Sequence, residues 1–358
     1  MPVLDLSASS VDLTRAICDI PSVSGDEVAL ADAIDAVIRP LSHLTLHRDG
    51  DTIVARTELG RAQRVVIAGH IDTVPVNGNL PTRDVVVDGE PHLWGRGTVD
   101  MKAGVAVQLK LAAELVAPRV DITWMWYDHE EVDADLNGLT RLSRTRPDLF
   151  AGDFAILGEP SGGEVEGGCN GNLRAVVRTH GVRAHSARSW IGENAIHRAA
   201  PILARLAEYR PRDVAVEGLT YREGLNAVRI GGGVAGNVIP DLCEVEVNYR
   251  FAPSRNADEA SRHVRSVFDG FDVEIVDLAE GARPGLDAPL AQEFVAAVGA
   301  VPRPKYGWTD VARFSALGVP AVNYGPGDPH LAHHDEERVP LAQIEAVERG
   351  LRSWLTAH

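Results

Sequence analysis

The sequence predicts an α/β layered domain interrupted by an inserted α+β domain, and three observations carry that expectation. Four continuous apolar runs, at 65–68, 122–127, 154–157 and 321–324, read as strands buried on both faces. Two stretches of helical periodicity, 103–117 and 341–355, suit helices packed against such strands. Between them the chain changes texture. Segments 173–180 and 244–251 alternate in period two, as half-buried antiparallel strands do.

In chain order, residues 10–39 show helical spacing broken by the turn Pro21-Ser22-Val23-Ser24-Gly25. Segments 44–48 and 52–56 read as short strands around Asp49-Gly50-Asp51, a hairpin signal. The buried strand at 65–68, the helix at 103–117 and the strands at 122–127 and 154–157 follow. In the middle, 195–209 and 258–268 read as amphipathic helices, and Gly231-Gly232-Gly233 as an unpacked, bendable stretch. The first domain then resumes with the strand at 321–324 and the helix at 341–355. The expected division is 1–171 and 282–358 for the α/β domain, with 172–281 inserted.

A chain of 358 residues is long for one core and suits two domains. With 45% hydrophobic and 24% charged residues, its composition sets aside disorder, collagen-like repeats and coiled coil. Lys and Arg number 35 against 51 Asp and Glu, a net charge of −16, which argues against nucleic acid or an anionic membrane as partner. The three cysteines form no CxxC pair, so neither a zinc ribbon nor a disulfide framework is expected. The N-terminus carries acidic residues early and no basic segment before an apolar one, and no apolar run approaches the ~18–20 residues that span a bilayer. A cytoplasmic protein without a signal peptide is expected.

Chemistry-bearing residues follow the buried strands. The run at 65–68 leads into Gly69-His70-Ile71-Asp72, and 122–127 into Asp128-His129-Glu130-Glu131. The run at 154–157 leads into Gly158-Glu159-Pro160, and 321–324 into a Gly/Pro loop ending His330-Leu331-Ala332-His333-His334-Asp335. A fifth segment, Gly95-Arg96-Gly97-Thr98-Val99-Asp100, opens the helix at 103–117. Ligands collect at the carboxyl ends of strands in open α/β sheets. One such His or Glu alone is more often a surface or capping residue, and Asp100 alone could simply cap its helix. Five together would place unpaired carboxylates in one spot, which a divalent metal can neutralise. His, Asp and Glu donors suit zinc or a similar ion, and two ions sharing one carboxylate would need about this number. An HExxH motif starting at His129 fails because position 133 is Asp133. The segment Gly95-Arg96-Gly97 lacks a third glycine, and neither GxxxxGK[ST] nor GxSxG occurs, which argues against nucleotide-binding enzymes and serine hydrolases.

These segments resemble the zinc-dependent deacylase and exopeptidase family of acetylornithine deacetylase, succinyl-diaminopimelate desuccinylase and carboxypeptidase G. The matching pieces are Gly69-His70-Ile71-Asp72-Thr73-Val74-Pro75, Gly95 through Gly104, Glu130-Glu131, Gly158-Glu159-Pro160 and Ala332-His333, in the family's order. The resemblance implies a mixed-sheet, zinc-exopeptidase-like catalytic domain with an inserted lid and dimerisation domain. It implies two Zn2+ per subunit, with Co2+ as a substitute: His70 and Glu159 on one ion, Glu131 and His333 on the other, and Asp100 bridging. Asp72 would orient the His70 ring, and Glu130 would be the general base. His330 and His334 remain alternatives to His333, which is preferred for its spacing to Glu337 and Val339.

In the insertion, Arg183-Ala184-His185-Ser186 resembles the family's lid histidine segment, so His185 would reach the partner subunit's site in a homodimer, with Asn237 nearby. Arg250 resembles the family's carboxylate-binding arginine. Longer stretches, 184–197, 221–225 and 305–314, resemble desuccinylases of actinobacterial type. They imply hydrolysis of N-succinyl-LL-2,6-diaminopimelate, a small anionic substrate, to succinate and LL-2,6-diaminopimelate. Arg178, Arg188 and Arg313 are further candidates for its carboxylates, with Thr309 as a hydrogen-bond donor. A related N-acyl-amino-acid deacylase and, from another class, a non-catalytic binding protein on the same fold are the alternatives.

Overall fold

All four apolar runs form neighbouring strands of one mixed sheet in the computed structural model, which describes residues 4–357. Asp121–Tyr127, Arg64–His70, Phe154–Leu157 and Ala321–Asn323 lie side by side and parallel. Parallel pairing brings their carboxyl ends to one edge: His70 stands opposite Tyr127, and Leu157 opposite both Ala68 and Asn323. The expected hairpin, Thr45–Asp49 with Thr52–Arg56, adds antiparallel to Asp121–Tyr127. At the other side the sheet ends in short strands at Glu166–Gly167 and Arg303–Pro304, eight strands in all.

The helix Lys102–Glu114 is buried along almost its whole length. Gly104 permits this, because a β-carbon there would collide with the carbonyl oxygen of Gly158 at the end of a central strand. The helix Leu341–Thr356 turns Ile344, Val347, Leu351, Trp354 and Leu355 into the same core, and a buried side chain of this size contributes ~1.5–3 kcal/mol. Ser9 caps the helix Ser10–Cys18 by accepting the Asp12 N–H at 3.1 Å. A three-stranded sheet not foreseen in the sequence joins Arg83–Val87, Glu90–Trp94 and Arg338–Pro340. Its pairing carries Glu337 against the turn at 95–100, where its carbonyl accepts the Gly95 N–H at 2.9 Å.

The chain divides into two units. One comprises Met1–Gly167, Pro284–Arg303 and Arg313–His358; the other comprises Gly168–Arg283 and Pro304–Ala312. The segment 304–312, assigned from sequence to the α/β domain, thus groups with the inserted residues. The second unit holds a four-stranded antiparallel sheet in the order Gly224–Gly232, Leu242–Phe251, Gly171–His180, Asp272–Ala279. Inward residues of these strands and residues of the helices Ala200–Glu208 and Ala257–Val267 build its core.

Two expectations for this unit are corrected. The helix at 195–209 is two helices, Ala195–Arg198 and Ala200–Glu208. Pro201 has no N–H to continue the first and suits the first turn of the second. The Gly231-Gly232-Gly233 stretch is not loose. Gly231 and Gly232 pair with Glu244 and Cys243, and Gly232 packs so closely that a β-carbon would stand 3.0 Å from Ile196. Only Gly233, at φ +87, leaves the strand in a conformation that favours glycine.

Candidate metal centre

His70 is the last residue of its strand and is fully buried. Its Nδ1 lies 3.0 Å from the backbone carbonyl of Asp72, which can only accept, so Nδ1 carries the proton and Nε2 faces the site. Nε2 is 3.1 Å from Asp100 Oδ1 and 4.0 Å from Glu159 Oε1. The other oxygen of Asp100 lies 3.2 Å from His333 Nε2, which is 2.9 Å from Glu131 Oε2. Asp100 therefore stands between two histidines with one oxygen towards each. His70, Asp100 and Glu131 each offer a ligand atom within 4.8 Å of the others.

Among the three histidines of the loop at 330–334, His333 is the one that reaches this cluster. Its backbone is left-handed, at φ 63. The His330 ring turns to Asp328, 2.7 Å away, and the His334 Nδ1 accepts the Glu336 N–H at 3.1 Å.

Electrostatics describe a site that calls for positive charge. Burial opposes a charged His70, yet hydrogen bonds to Asp100 and Asp72 hold its pKa well above the ordinary value. Hydrogen bonds to Asp100 and Glu131 push His333 up to about 10. Burial alone would raise both aspartates, but the two histidines hold Asp100 far below the usual carboxylate range, and His70 and Ser24 help to hold Asp72 at about 2. A divalent cation in place of the shared protons satisfies the same oxygens, and imidazole with carboxylate is a donor set that zinc-like ions accept. The residues present fit such an ion.

Asp72 does more than face His70. Its carboxylate accepts the N–H groups of Glu130 and Glu131 at 3.0 and 3.1 Å and the Ser24 hydroxyl at 2.6 Å, while its nearest approach to the ring is through its backbone carbonyl. Glu337 plays a comparable part for Asp100, a role the sequence did not indicate although Glu337 served there as a spacing marker for His333. Fully buried, it accepts the N–H groups of Val99 and Asp100 at 2.9 and 3.1 Å and pairs with Arg96 at 2.9 Å. Spacing does not announce that role, because the N–H groups it accepts lie some 240 positions away.

The remaining candidates lie in the second unit. His185 is exposed; its strand residues pair with Val238 and Ile239, and the Ser186 N–H donates to the Asn237 carbonyl at 2.9 Å, so His185 and Asn237 are neighbours. Arg250 is partly buried, its side chain makes no hydrogen bond or ion pair among the described residues, and burial draws its pKa down. Thr309 is buried, and its carbonyl faces the Cys169 thiol. Arg178 pairs across the sheet with Glu244 at 2.8 Å and Glu274 at 2.7 Å.

A family model described as Peptidase family M20/M25/M40 matches residues 66–357, which include every residue of the metal cluster. The chain belongs to this family. A Mycobacterium tuberculosis protein, named provisionally as succinyl-diaminopimelate desuccinylase DapE, is 53% identical over 356 residues, 99% of either chain. The succinyl-diaminopimelate desuccinylase of Corynebacterium glutamicum is 47% identical over 366 residues, covering 99% of this chain and 98% of its own. Among solved structures, aminopeptidase PepT of Bacillus cereus superposes with a TM-score of 0.78 at 17% identity, covering 98% of both chains. Bacillus subtilis YxeP, described as a dinuclear metal-binding peptidase of the M20 family, gives 0.69 at 16% identity over 97% of this chain and 96% of its own. The fold is that of the M20 metallopeptidases.

Proposed function

We propose that this chain is a metal-dependent amide hydrolase that converts N-succinyl-LL-2,6-diaminopimelate and water to succinate and LL-2,6-diaminopimelate, a step of lysine and diaminopimelate biosynthesis. The observation that carries the reading is the full-length likeness to desuccinylases in a chain whose Asp100 spans two histidines. His70 and Glu159 would hold one zinc, Glu131 and His333 a second, and Asp100 both, with cobalt as a working substitute. Two divalent ions held there would supply Lewis acidity towards the amide carbonyl and towards water. Glu130 takes a proton from the attacking water and passes it to the leaving amine. Asp72 orients His70 and fixes the turn from which Glu130 and Glu131 leave. Arg250, whose guanidinium makes no ion pair among the described residues, is available to a substrate carboxylate, and Thr309 and Asn237 would complete substrate binding.

The acting form is a homodimer in which His185 stabilises the tetrahedral oxyanion in the partner's site. Support comes from the edge strand Gly224–Gly232, which leaves Val228 and Ile230 exposed on an open ladder. Cys18, Cys169 and Cys243 are buried free thiols, which suits a reducing cytoplasm. No helix among the described residues is long and apolar enough to cross a membrane.

A panel of N-acyl amino acids tests the substrate. Cleavage of N-succinyl-LL-2,6-diaminopimelate well ahead of N-acetylornithine is expected. Brisk cleavage of N-acetylornithine without any of the succinyl substrate would assign a related deacylase instead.

A further inference from the structure

Three successive backbone N–H groups define the turn that carries Glu130 and Glu131, and two buried carboxylates receive all three. Asp72 takes those of Glu130 and Glu131; Glu27 takes that of His129 at 3.2 Å. Glu27 is fully buried ahead of the helix Val28–Ile38, and its other oxygen accepts the Gly25 N–H at 2.9 Å. The neighbouring Ser24 is the residue whose hydroxyl binds Asp72, so the loop at 22–25 braces both carboxylates. His129 adopts a left-handed backbone, at φ 58, which a residue with a β-carbon resists unless its surroundings hold it. Its ring lies 2.6 Å from Asp128 Oδ2 and 3.4 Å from Glu27 Oε1. Asp128 is itself fixed by both Arg141 terminal nitrogens, at 2.8 and 2.9 Å, and by Thr52.

We propose that Glu27 is a positioning residue for hydrolysis: it holds His129 in the left-handed conformation and so sets the direction in which Glu130, the next residue, leaves the turn, while Glu131 stays held by Asp72 at its N–H and by His333 at its carboxylate. This rests on the reading of Glu130 as general base. Without the Glu27 anchor the turn can relax, and the carboxylate that moves the proton is displaced while substrate contacts elsewhere are untouched. In Glu27→Gln one of the two acceptor oxygens becomes an NH2 group that cannot accept from Gly25 or His129.

The test compares Glu27→Gln in the wild-type and His129→Asn backgrounds on the full metal-loaded chain, because Asn tolerates the left-handed region better than His. In the wild-type background kcat is expected to fall by about 10-fold or more with KM and metal content nearly unchanged, as for a displaced catalytic group. In the His129→Asn background the same change is expected to cost about 3-fold or less, since less strain has to be held. Equal losses in both backgrounds, or a loss carried by KM or metal content, would overturn the proposal. Amide hydrogen exchange on the metal-free chain gives a readout independent of substrate: the His129 amide should exchange faster in Glu27→Gln. Unchanged exchange refutes the anchor. Faster exchange in a chain that cleaves no succinyl substrate upholds the anchor and refutes the proposed reaction instead. Should Glu27→Gln fail to fold, Glu27→Asp, which withdraws the carboxylate by one methylene, carries the same expectations.

Discussion

Asp100 offers one oxygen to His70 and the other to His333, at 3.1 and 3.2 Å, and the proposed chemistry turns on that arrangement. In the proposed reaction neighbouring Glu130 and Glu131 take different work: Glu131 contacts His333, and Glu130 would transfer the proton. Glu130→Gln is therefore expected to retain metal while kcat falls by about 10²–10⁴, the usual contribution of a positioned acid–base group. Metal analysis beside steady-state kinetics checks this; lost metal with turnover intact would contradict the assignment. The segments of the cluster were legible in the sequence because each follows a buried strand or opens a helix, where the fold class predicts a site, and the family resemblance singled out His333 within its loop. The roles of Glu27, Ser24 and Glu337 were not. These residues act on backbone N–H groups and on Asp72, and a backbone acceptor leaves no signature in residue type or spacing. The ion pairs of Arg178 were illegible for a related reason, since its cross-strand partners Glu244 and Glu274 become neighbours only when the sheet forms.

At the scale of elements, the buried strands were read correctly because residues buried on both faces must be apolar throughout. The hairpin of Arg83–Val87 and Glu90–Trp94 was missed, being largely exposed and so free of that constraint. The break in the helix at 195–209 was legible in principle, from Pro201 alone. Glycines set how closely helix and sheet approach at the site. Gly104 rests on the Gly158 carbonyl, and a side chain at Gly69 would strike Met101 and Val105. Gly104→Ala must push Lys102–Glu114, and with it the Asp100 turn, away from the strand ends. A loss of about 1–3 kcal/mol in stability is expected, as for other overpacked cores. Chemical denaturation measures it, and an unchanged midpoint with unchanged slope would contradict the close contact.

Across the whole molecule, part of the acidic surplus of −16 is gathered at a site where carboxylates surround two histidines. The second unit takes in 304–312 as well as the contiguous insertion, and nothing in local sequence marks that return, because membership of a unit is decided by contacts made after folding. His185 belongs to this unit, and its proposed action across the dimer is open to a direct test. Mixed dimers of His185→Ala with Glu130→Gln, each dead alone, should recover one competent site; no recovery would confine His185 to its own subunit. In the proposed enzyme, residues from five segments of this chain assemble a metal site that hydrolyses a succinyl amide. The most direct test is turnover of N-succinyl-LL-2,6-diaminopimelate by protein carrying no metal, one equivalent and two equivalents of zinc. Succinate release that is absent without metal and rises to its maximum at two equivalents is the predicted result. Undiminished release from metal-stripped protein, or none at two equivalents, would contradict it.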